Sequence, residues 1–377
     1  MGTTEHPLRS TTRPAFEEGA RSLRIVDLFS GCGGLTLGVA QASRGRDVAL
    51  EVALAVDNDE AALSVYRENF PKANTSELSI DSLFDGKIGK PHSAKETALL
   101  KSVGPVHAII GGPPCQGHSD LNNHTRRMDP RNELYLRMVR AVEVFRPPVL
   151  LIENVPSVVH STPDVVGLTK LTLDGLGYSV CDRVLQLHPL GVPQMRKRHV
   201  LLATHSPDLT AEAFLQEVPE RNTQARDLRW AIGDLATIKD GVGFDQPPRA
   251  SKDNLHRMRI MIQYKWWNLP ANHRPPCHQD GDHSYVSMYG RLHWDKPAQT
   301  ITSGFTSIGQ GRYMHPEQPR ALTHHEAVRI QGFPDYFDFS AVKSRVRLAT
   351  MIANAVPPHL AQAIFSGIIP WLVPAGP

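Results

Sequence analysis

Cysteine is scarce in this sequence of 377 residues: Cys32, Cys115, Cys181 and Cys277 stand far apart and form no CxxC pair. A disulfide framework and a structural zinc site are therefore not expected. The cluster His273, Cys277, His278 and His283 has one cysteine and no regular spacing, so no metal site is assigned there. Long apolar runs are also missing. The purely apolar stretches are strand-sized, such as Val149–Ile152, against the roughly 20 residues a membrane span needs. No membrane partner is expected, and without an apolar signal core the expected location is the cytoplasm. Charge of one sign is lacking too, since 41 basic against 38 acidic residues leave +3. That balance permits nucleic-acid binding without announcing it. With 41% hydrophobic and 21% charged residues, the composition is that of a globular protein rather than a disordered, collagen-like or coiled-coil chain.

Residues 1–22 are polar, carry Pro7 and Pro14 and show no periodicity, and read as a mobile tail. Short apolar runs then alternate with helical spacings. The runs are Arg24–Phe29, Ala49–Val56, Val106–Ile110, Val149–Ile152, Ser179–Leu187 and His199–Ala203. Helices are predicted to about Ala42 and over Glu60–Asn69, Glu133–Phe145 and Val165–Leu176. Nearly continuous apolar strands alternating with helices predict an α/β fold with a parallel sheet covered on both faces. From about His205 to Arg320 the rhythm fades and prolines, histidines and tryptophans rise, which predicts a second, irregular domain. Ala321–Ile330 and Arg347–Ile368 read as helical again, so the first domain is expected to be completed late in the chain.

Ligands of such sheets bind beyond the carboxyl ends of the strands, and chemistry-bearing residues gather at four such ends. Asp27-Leu28-Phe29-Ser30-Gly31-Cys32-Gly33-Gly34 follows the first strand. Its glycines let the backbone approach a ligand, although the order is GxGG with a further Gly38 rather than GxGxxG. Asp57 ends the second strand, where a carboxylate can accept both hydroxyls of a ribose; the pair of features favours an adenosine-containing ligand. Cys115 follows the rigid Gly111-Gly112-Pro113-Pro114 turn, with Gln116 and Ser119 beside it and Arg126, Arg127 and Arg131 after it. Nearby positive charge stabilises a thiolate, which makes Cys115 a candidate nucleophile against the commoner reading of a small buried apolar residue. Glu153, before Asn154 and Val155, ends an apolar strand, where partial desolvation favours its protonated form. In Gln194-Met195-Arg196-Lys197-Arg198, an extended backbone puts Arg196 and Arg198 on one face, fit for a phosphate or a polar base edge.

DLFSGCGG, GGPPCQGHS, ENV, GVPQMRKR and NAVPP, in this order and spacing, resemble the DNA (cytosine-5) methyltransferase family of bacteria and phages over about residues 23–204 and 291–368. The resemblance implies a Rossmann-like domain that binds S-adenosylmethionine, with a variable target-recognition domain between the GVPQ and NAVPP blocks. On that basis residues 23–204 and 343–377 form the catalytic domain, and 205–342 the recognition domain and hinge. It also implies the chemistry. The Cys115 thiolate adds to C6 of a flipped-out cytosine, Glu153 serves N3 and Arg198 serves O2, with Arg196 supporting the charge. Gln116 and Ser119 belong to the same catalytic set, while the residue pattern names no base for the C5 proton. The cofactor set is Phe29, Ser30, Gly31, Cys32, Gly33, Gly34, Asp57, Asn58, Ile80, Pro113, Leu134 and Asn354.

The sequence departs from the family pattern at four places. Ser79 stands where an aspartate usually meets the adenine amino group, and Asp57 where glutamate is commoner. His118 replaces a frequent phenylalanine, and Ala353 the usual glycine. Duplex DNA is the expected partner, with Arg126, Arg127, Arg131, Gln194, Arg257, Arg259 and Arg291 as candidate contacts. Residues 205–320 hold 14 basic and 13 acidic residues, so those contacts are placed singly rather than spread over a basic patch. A monomer is expected, with a cognate restriction endonuclease acting separately. Two alternatives stay open: an RNA cytosine-5 methyltransferase on the same scaffold, and a non-catalytic DNA-binding regulator. The long insert speaks against the first, and intact Cys115, Glu153 and Arg198 against the second.

Overall fold

The computed structural model describes residues 6–114, 132–161, 163–206, 210–218, 225–238, 241–279 and 287–374. Its strands are β1 (Arg21–Leu28), β2 (Val48–Val56), β3 (Thr75–Ser76), β4 (Ala108–Gly111), β5 (Val149–Asn154), β6 (Ser179–Gln186), β7 (Gln194–Met195), β8 (Lys197–Thr204) and β9 (Ala298–Gln299). The helices of the first half are α1 (Gly34–Arg44), α2 (Glu60–Asn69), α3 (Ile80–Leu83), α4 (Ala94–Val103), α5 (Asn132–Phe145) and α6 (Val165–Gly175). Those of the second are α7 (Ala211–Glu217), α8 (Leu228–Ile232), α9 (Lys252–Gln263), α10 (His324–Ile330), α11 (Arg345–Asn354) and α12 (Pro358–Leu372).

Seven strands form one sheet in the order β3-β2-β1-β4-β5-β8-β6. The predicted α/β fold is present, with one difference: β8 runs antiparallel to both β5 and β6. A short connection can return a chain only antiparallel, and β8 begins 11 residues after β6 ends, too few for a helical crossover. Apolar side chains of β1, β2, β4, β5 and β8 meet those of α5 and α6 in a continuous core that includes Val26, Leu54, Ile109, Met138, Val142, Ile152, Val166 and Leu201. On the other side, α1 lies against α12, and Gly38 permits the approach. A Cβ there would stand 2.1 Å from the Pro358 carbonyl oxygen.

The chain divides into two compact units. The sheet unit comprises Arg13–Leu190, Lys197–Thr223 and Val356–Pro377; the second comprises Met1–Thr12, Gly191–Arg196 and Gln224–Ala355. Two expectations change. Residues 6–22 are not a loose tail. Leu8 and Phe16 are buried, the Leu8 carbonyl accepts from the Asp335 N–H, and the Phe16 carbonyl accepts from the Leu50 N–H. Isolated apolar residues in a polar stretch carry no period, so this anchoring is invisible to pattern reading. The helix expected over Arg347–Ile368 is two helices, interrupted at Ala355-Val356-Pro357, because proline lacks the N–H a helix interior needs. Of the two, α11 belongs to the second unit and α12 to the sheet unit.

The second unit has few backbone ladders; among its described residues β7 pairs with β9 over two residues. One apolar cluster, including Met258, Met261, Leu269, Tyr289 and Met314, packs α9 against the irregular segments.

Candidate active site

The turn from β1 into α1 is built by conformations few residues tolerate. Phe29, Gly31 and Gly33 all have positive φ, at 57°, 54° and 95°. For Phe29 this costs about 1 kcal/mol. At Gly33 any side chain would also collide, since a Cβ would lie 2.8 Å from the Phe70 ring. Asp57, at the end of β2, closes the turn: its carboxylate accepts from the Gly31 N–H at 2.8 Å and from the Asp59 N–H at 2.9 Å. Burial pushes the Asp57 carboxyl above its ordinary value, and these backbone donors offset part of that. Beneath the turn, Asp27 is fully buried, with Oδ2 accepting from the Thr36 hydroxyl at 2.6 Å. Desolvation raises its pKa to about 7. Thr36 in turn bonds the Tyr66 hydroxyl at 2.8 Å.

Space remains above this frame. Among the described residues, nothing lies within 4 Å of the position a Cβ would take at Gly31, and the buried Ser30 hydroxyl has no partner. Phe29 and Leu134, both half-buried, and buried Ile80 border one apolar cluster. Of the expected cofactor residues, Phe29 to Gly34 and Asp57 lie at the carboxyl ends of β1 and β2, Ile80 and Leu134 belong to the apolar cluster that Phe29 packs against, and Pro113 follows β4. Asn58 is exposed. Cys32 is buried and its thiol is pushed up to about 12 by desolvation, so it stays protonated and unreactive. Asn354 is exposed at the end of α11, in the second unit.

The second constellation sits at the ends of β4 and β5. Gly111 pairs with Ile152, so Glu153 extends one residue past it and its carboxylate overhangs the next glycine. A Cβ on Gly112 would stand 3.2 Å from Glu153 Oε2. Glu153 is buried, and Arg198 Nε lies 2.5 Å from its Oε1 in an ion pair whose side chains are 8% and 12% exposed. The sequence reading expected a desolvated carboxyl alone; the structure adds a guanidinium against it. Asn154, buried, donates from Nδ2 to the Pro113 carbonyl at 3.1 Å and accepts the Val155 N–H at 2.8 Å, tying the two strand ends together. Cys115, Gln116, Ser119, Arg126, Arg127 and Arg131 lie outside the described residues.

The structure shows where Arg196, Gln194 and Arg291 stand. Arg196 does not share a ligand face with Arg198. It is buried, donating to the carbonyls of Ile301 at 3.2 Å and Ala353 at 3.1 Å, so its charge stabilises backbone that has no ladder. Gln194 is fully buried as well, bonded to the Ile301 N–H, the Ile330 carbonyl and Gln331. Arg291 is buried with its guanidinium 4.0 Å from the centroid of the Trp267 ring. Arg257 bonds the His273 carbonyl and Asn254, whereas Arg259 is exposed. Sequence reasoning missed the supporting roles of Asp27, Thr36, Tyr66 and Asn154. The legible signal was a carboxylate closing an otherwise apolar strand at Asp27.

Residues 23–370 match the family model for C-5 cytosine-specific DNA methylases. The chain is 42% identical to the type II methyltransferase M1.BsuMI of Bacillus subtilis, over 95% of this chain and 83% of that one. It is 30% identical to the type II methylase M.HgiDII of Herpetosiphon aurantiacus, over 91% and 94%. The solved structure of the S. pombe Dnmt2 methyltransferase superposes with a TM-score of 0.64 at 17% identity, covering 94% of this chain and all of that one, which establishes likeness of fold. The fold is that of S-adenosylmethionine-dependent methyltransferases, and no helix among the described residues is long and apolar enough to cross a membrane. The chain belongs to the C-5 cytosine-specific DNA methylases and is a DNA (cytosine-5)-methyltransferase.

Proposed function

We propose that the enzyme methylates a flipped-out cytosine within a specific duplex sequence through a covalent Cys115–C6 adduct. The observation that carries this reading is the Glu153–Arg198 ion pair, held over Gly112 at the strand end that leads to Cys115. Cytosine C5 is a weak nucleophile. Addition of the Cys115 thiolate to C6 breaks the C5–C6 double bond and places the electron pair on C5. Glu153 hydrogen-bonds the ring at N3, which draws electrons toward N3 and opens C6 to attack. Arg198 both orients Glu153 and reaches O2. C5 then takes the methyl, a base removes the C5 proton, and elimination returns the electron pair to Cys115. A stacked base is out of reach for this attack, so the cytosine must leave the helix.

The orphaned Ser30 hydroxyl and the open space at Gly31 fit S-adenosylmethionine; Asp57 would hold its ribose, and Phe29, Ile80 and Leu134 its adenine. When bound, this cofactor supplies an electrophilic methyl on a sulfonium. Sequence recognition is assigned to the second unit and target closure to residues 116–131. A monomer acting beside a separate restriction endonuclease in the bacterial cytosol completes the reading, in keeping with the type II names of its relatives.

The test is base-resolution 5-methylcytosine sequencing of DNA from a methylation-free bacterial host expressing the chain, beside a Cys115→Ala control. One short motif methylated only by the intact protein is expected. Methylation persisting at even a few per cent in the control would refute the covalent route, and absence of DNA signal from folded protein would turn attention to host tRNA.

A further inference from the structure

The chain leaves β3 beside Asp57, where the Ser76 carbonyl accepts the Asp57 N–H at 3.2 Å. It then reaches Ser79, which opens α3 next to Ile80. Ile80 is part of the apolar cluster that Phe29 and Leu134 pack against. Arg137 shares a face of α5 with Leu134 one turn earlier. It donates to Asp81 at 2.6 Å and to the Phe84 carbonyl at 3.0 Å, which holds α3 against that stretch of α5. Ser79 and Ser82 are exposed and flank Ile80, so they stand where the apolar cluster meets solvent.

A serine before a helix ordinarily accepts a backbone N–H of the first turn through its hydroxyl. Ser79 makes no such bond. Its Oγ lies instead 2.7 Å from Ser82 Oγ, and either hydroxyl can be the donor. The choice matters, because a hydroxyl has one proton and two lone pairs. When Ser79 donates to Ser82, a Ser79 lone pair is left to accept from a ligand. When Ser82 donates to Ser79, the Ser79 O–H is released to donate. Passing from one state to the other takes rotation of two hydroxyls and no movement of heavy atoms. The carboxylates nearby in the chain lack this freedom, since an ionised carboxylate only accepts. They are also engaged: Asp81 by Arg137, and Glu77 by Glu60, the partner of Arg67.

A purine held against Ile80 carries its 6-substituent on the ring edge. The amino group of adenine donates there, whereas a 6-oxo group accepts. We propose, on the cofactor reading above, that the Ser79–Ser82 pair meets the 6-position of the cofactor's purine and serves either form, so that the site takes a 6-oxo (inosyl) analogue about as well as the adenosyl cofactor. Because both serines are exposed, water serves the neighbouring N1 in either form. Ser79 is then a specificity-determining residue, and its effect is to relax selection at this one position of the ring.

Calorimetric titration of the full chain with S-adenosylhomocysteine and S-inosylhomocysteine tests it, in the native protein, Ser79→Ala and Ser79→Asp. Neither ligand carries a methyl to transfer, so the readout is affinity alone. Ser79 is exposed and aspartate is itself favourable before a helix, so both variants should fold normally. The native protein should bind the two ligands within about threefold of each other, less than the worth of one hydrogen bond. Ser79→Ala should weaken both by a similar factor, roughly two- to tenfold, the scale of one lost hydrogen bond. Ser79→Asp should favour the adenosyl ligand by at least about tenfold, because a carboxylate accepts from the amino group and repels the oxo group. Rejection of the inosyl ligand by more than about tenfold in the native protein would overturn the proposal. Unchanged affinities in Ser79→Ala, or an unchanged preference in Ser79→Asp, would do the same. Each of these leaves the cofactor reading in place as long as S-adenosylhomocysteine binds. Failure of S-adenosylhomocysteine to bind the native protein would overturn that reading and the proposal with it.

Discussion

The β1–α1 turn and the arginine cluster around α10 both bury polar groups, and they satisfy them by opposite means. In the turn, backbone does the work: Gly31, at positive φ, and Asp59 each give an N–H to the Asp57 carboxylate. Around α10, where ladders are few, long side chains replace them. Arg329 binds Asp335, Asp234 and the Ala231 carbonyl, Arg320 binds Glu326, and Arg196 takes up the carbonyls of Ile301 and Ala353. A charged residue is therefore a poor marker of ligand contact where regular structure is sparse, and a better one at the end of a strand.

The largest test of this contrast is Arg329→Met. Its guanidinium is 2% exposed and serves two aspartates, so removal strands buried charge and should cost about 3–5 kcal/mol in denaturant unfolding. A loss under about 1 kcal/mol would deny the cluster its structural role. Glu153→Gln should separate function from stability in the other region. The methylation rate should fall roughly 10²-fold or more, the usual scale of acid–base assistance, while the unfolding midpoint stays near that of the native protein. A near-normal rate would remove Glu153 from the chemistry.

A smaller effect should appear with pH. His325 lies between two carboxylates, Nδ1 on Asp245 at 2.7 Å and Nε2 on Asp335 at 2.9 Å. Both partners only accept, so both nitrogens carry protons. Burial opposes the charge, and the two aspartates more than offset it, raising the pKa above the ordinary 6.5. Because the folded state holds this proton more tightly, the stabilisation is complete below about 6.5 and is lost as pH rises through the raised folded value. The stability difference between the native protein and His325→Gln should shrink over that range; a difference independent of pH would contradict the doubly bonded imidazolium. Smallest of all, Tyr135→Phe removes a buried hydroxyl that has no partner among the described residues. Unfolding free energy should stay level or rise by up to about 1 kcal/mol, since an unmet donor carries only a desolvation cost. A clear loss would show that the hydroxyl is satisfied.

Much of the site was legible because glycines and strand ends speak locally. Gly31 and Gly33 occupy places where positive φ strains a side chain, Gly112 one where a Cβ would press on Glu153 Oε2 at 3.2 Å, and Asp57 and Glu153 end apolar runs. The alternation of strands and helices likewise placed the sheet. What pattern reading could not reach depended on partners distant in sequence. Leu8 and Phe16 look like tail residues until the chain that covers them is in place. Arg196 and Arg198 look alike until one meets carbonyls more than 100 residues away and the other meets Glu153.

By itself, then, the sequence determined the α/β rhythm, the glycine-built turns and the ordered motifs that mark a cytosine methyltransferase, because each is a constraint on neighbouring backbone. Only the tertiary structure decided the direction of β8, the division between α11 and α12, and which arginine meets a carboxylate and which meets carbonyls. Those outcomes depend on which desolvated groups meet in space, and a buried charge takes its role from the partner it finds.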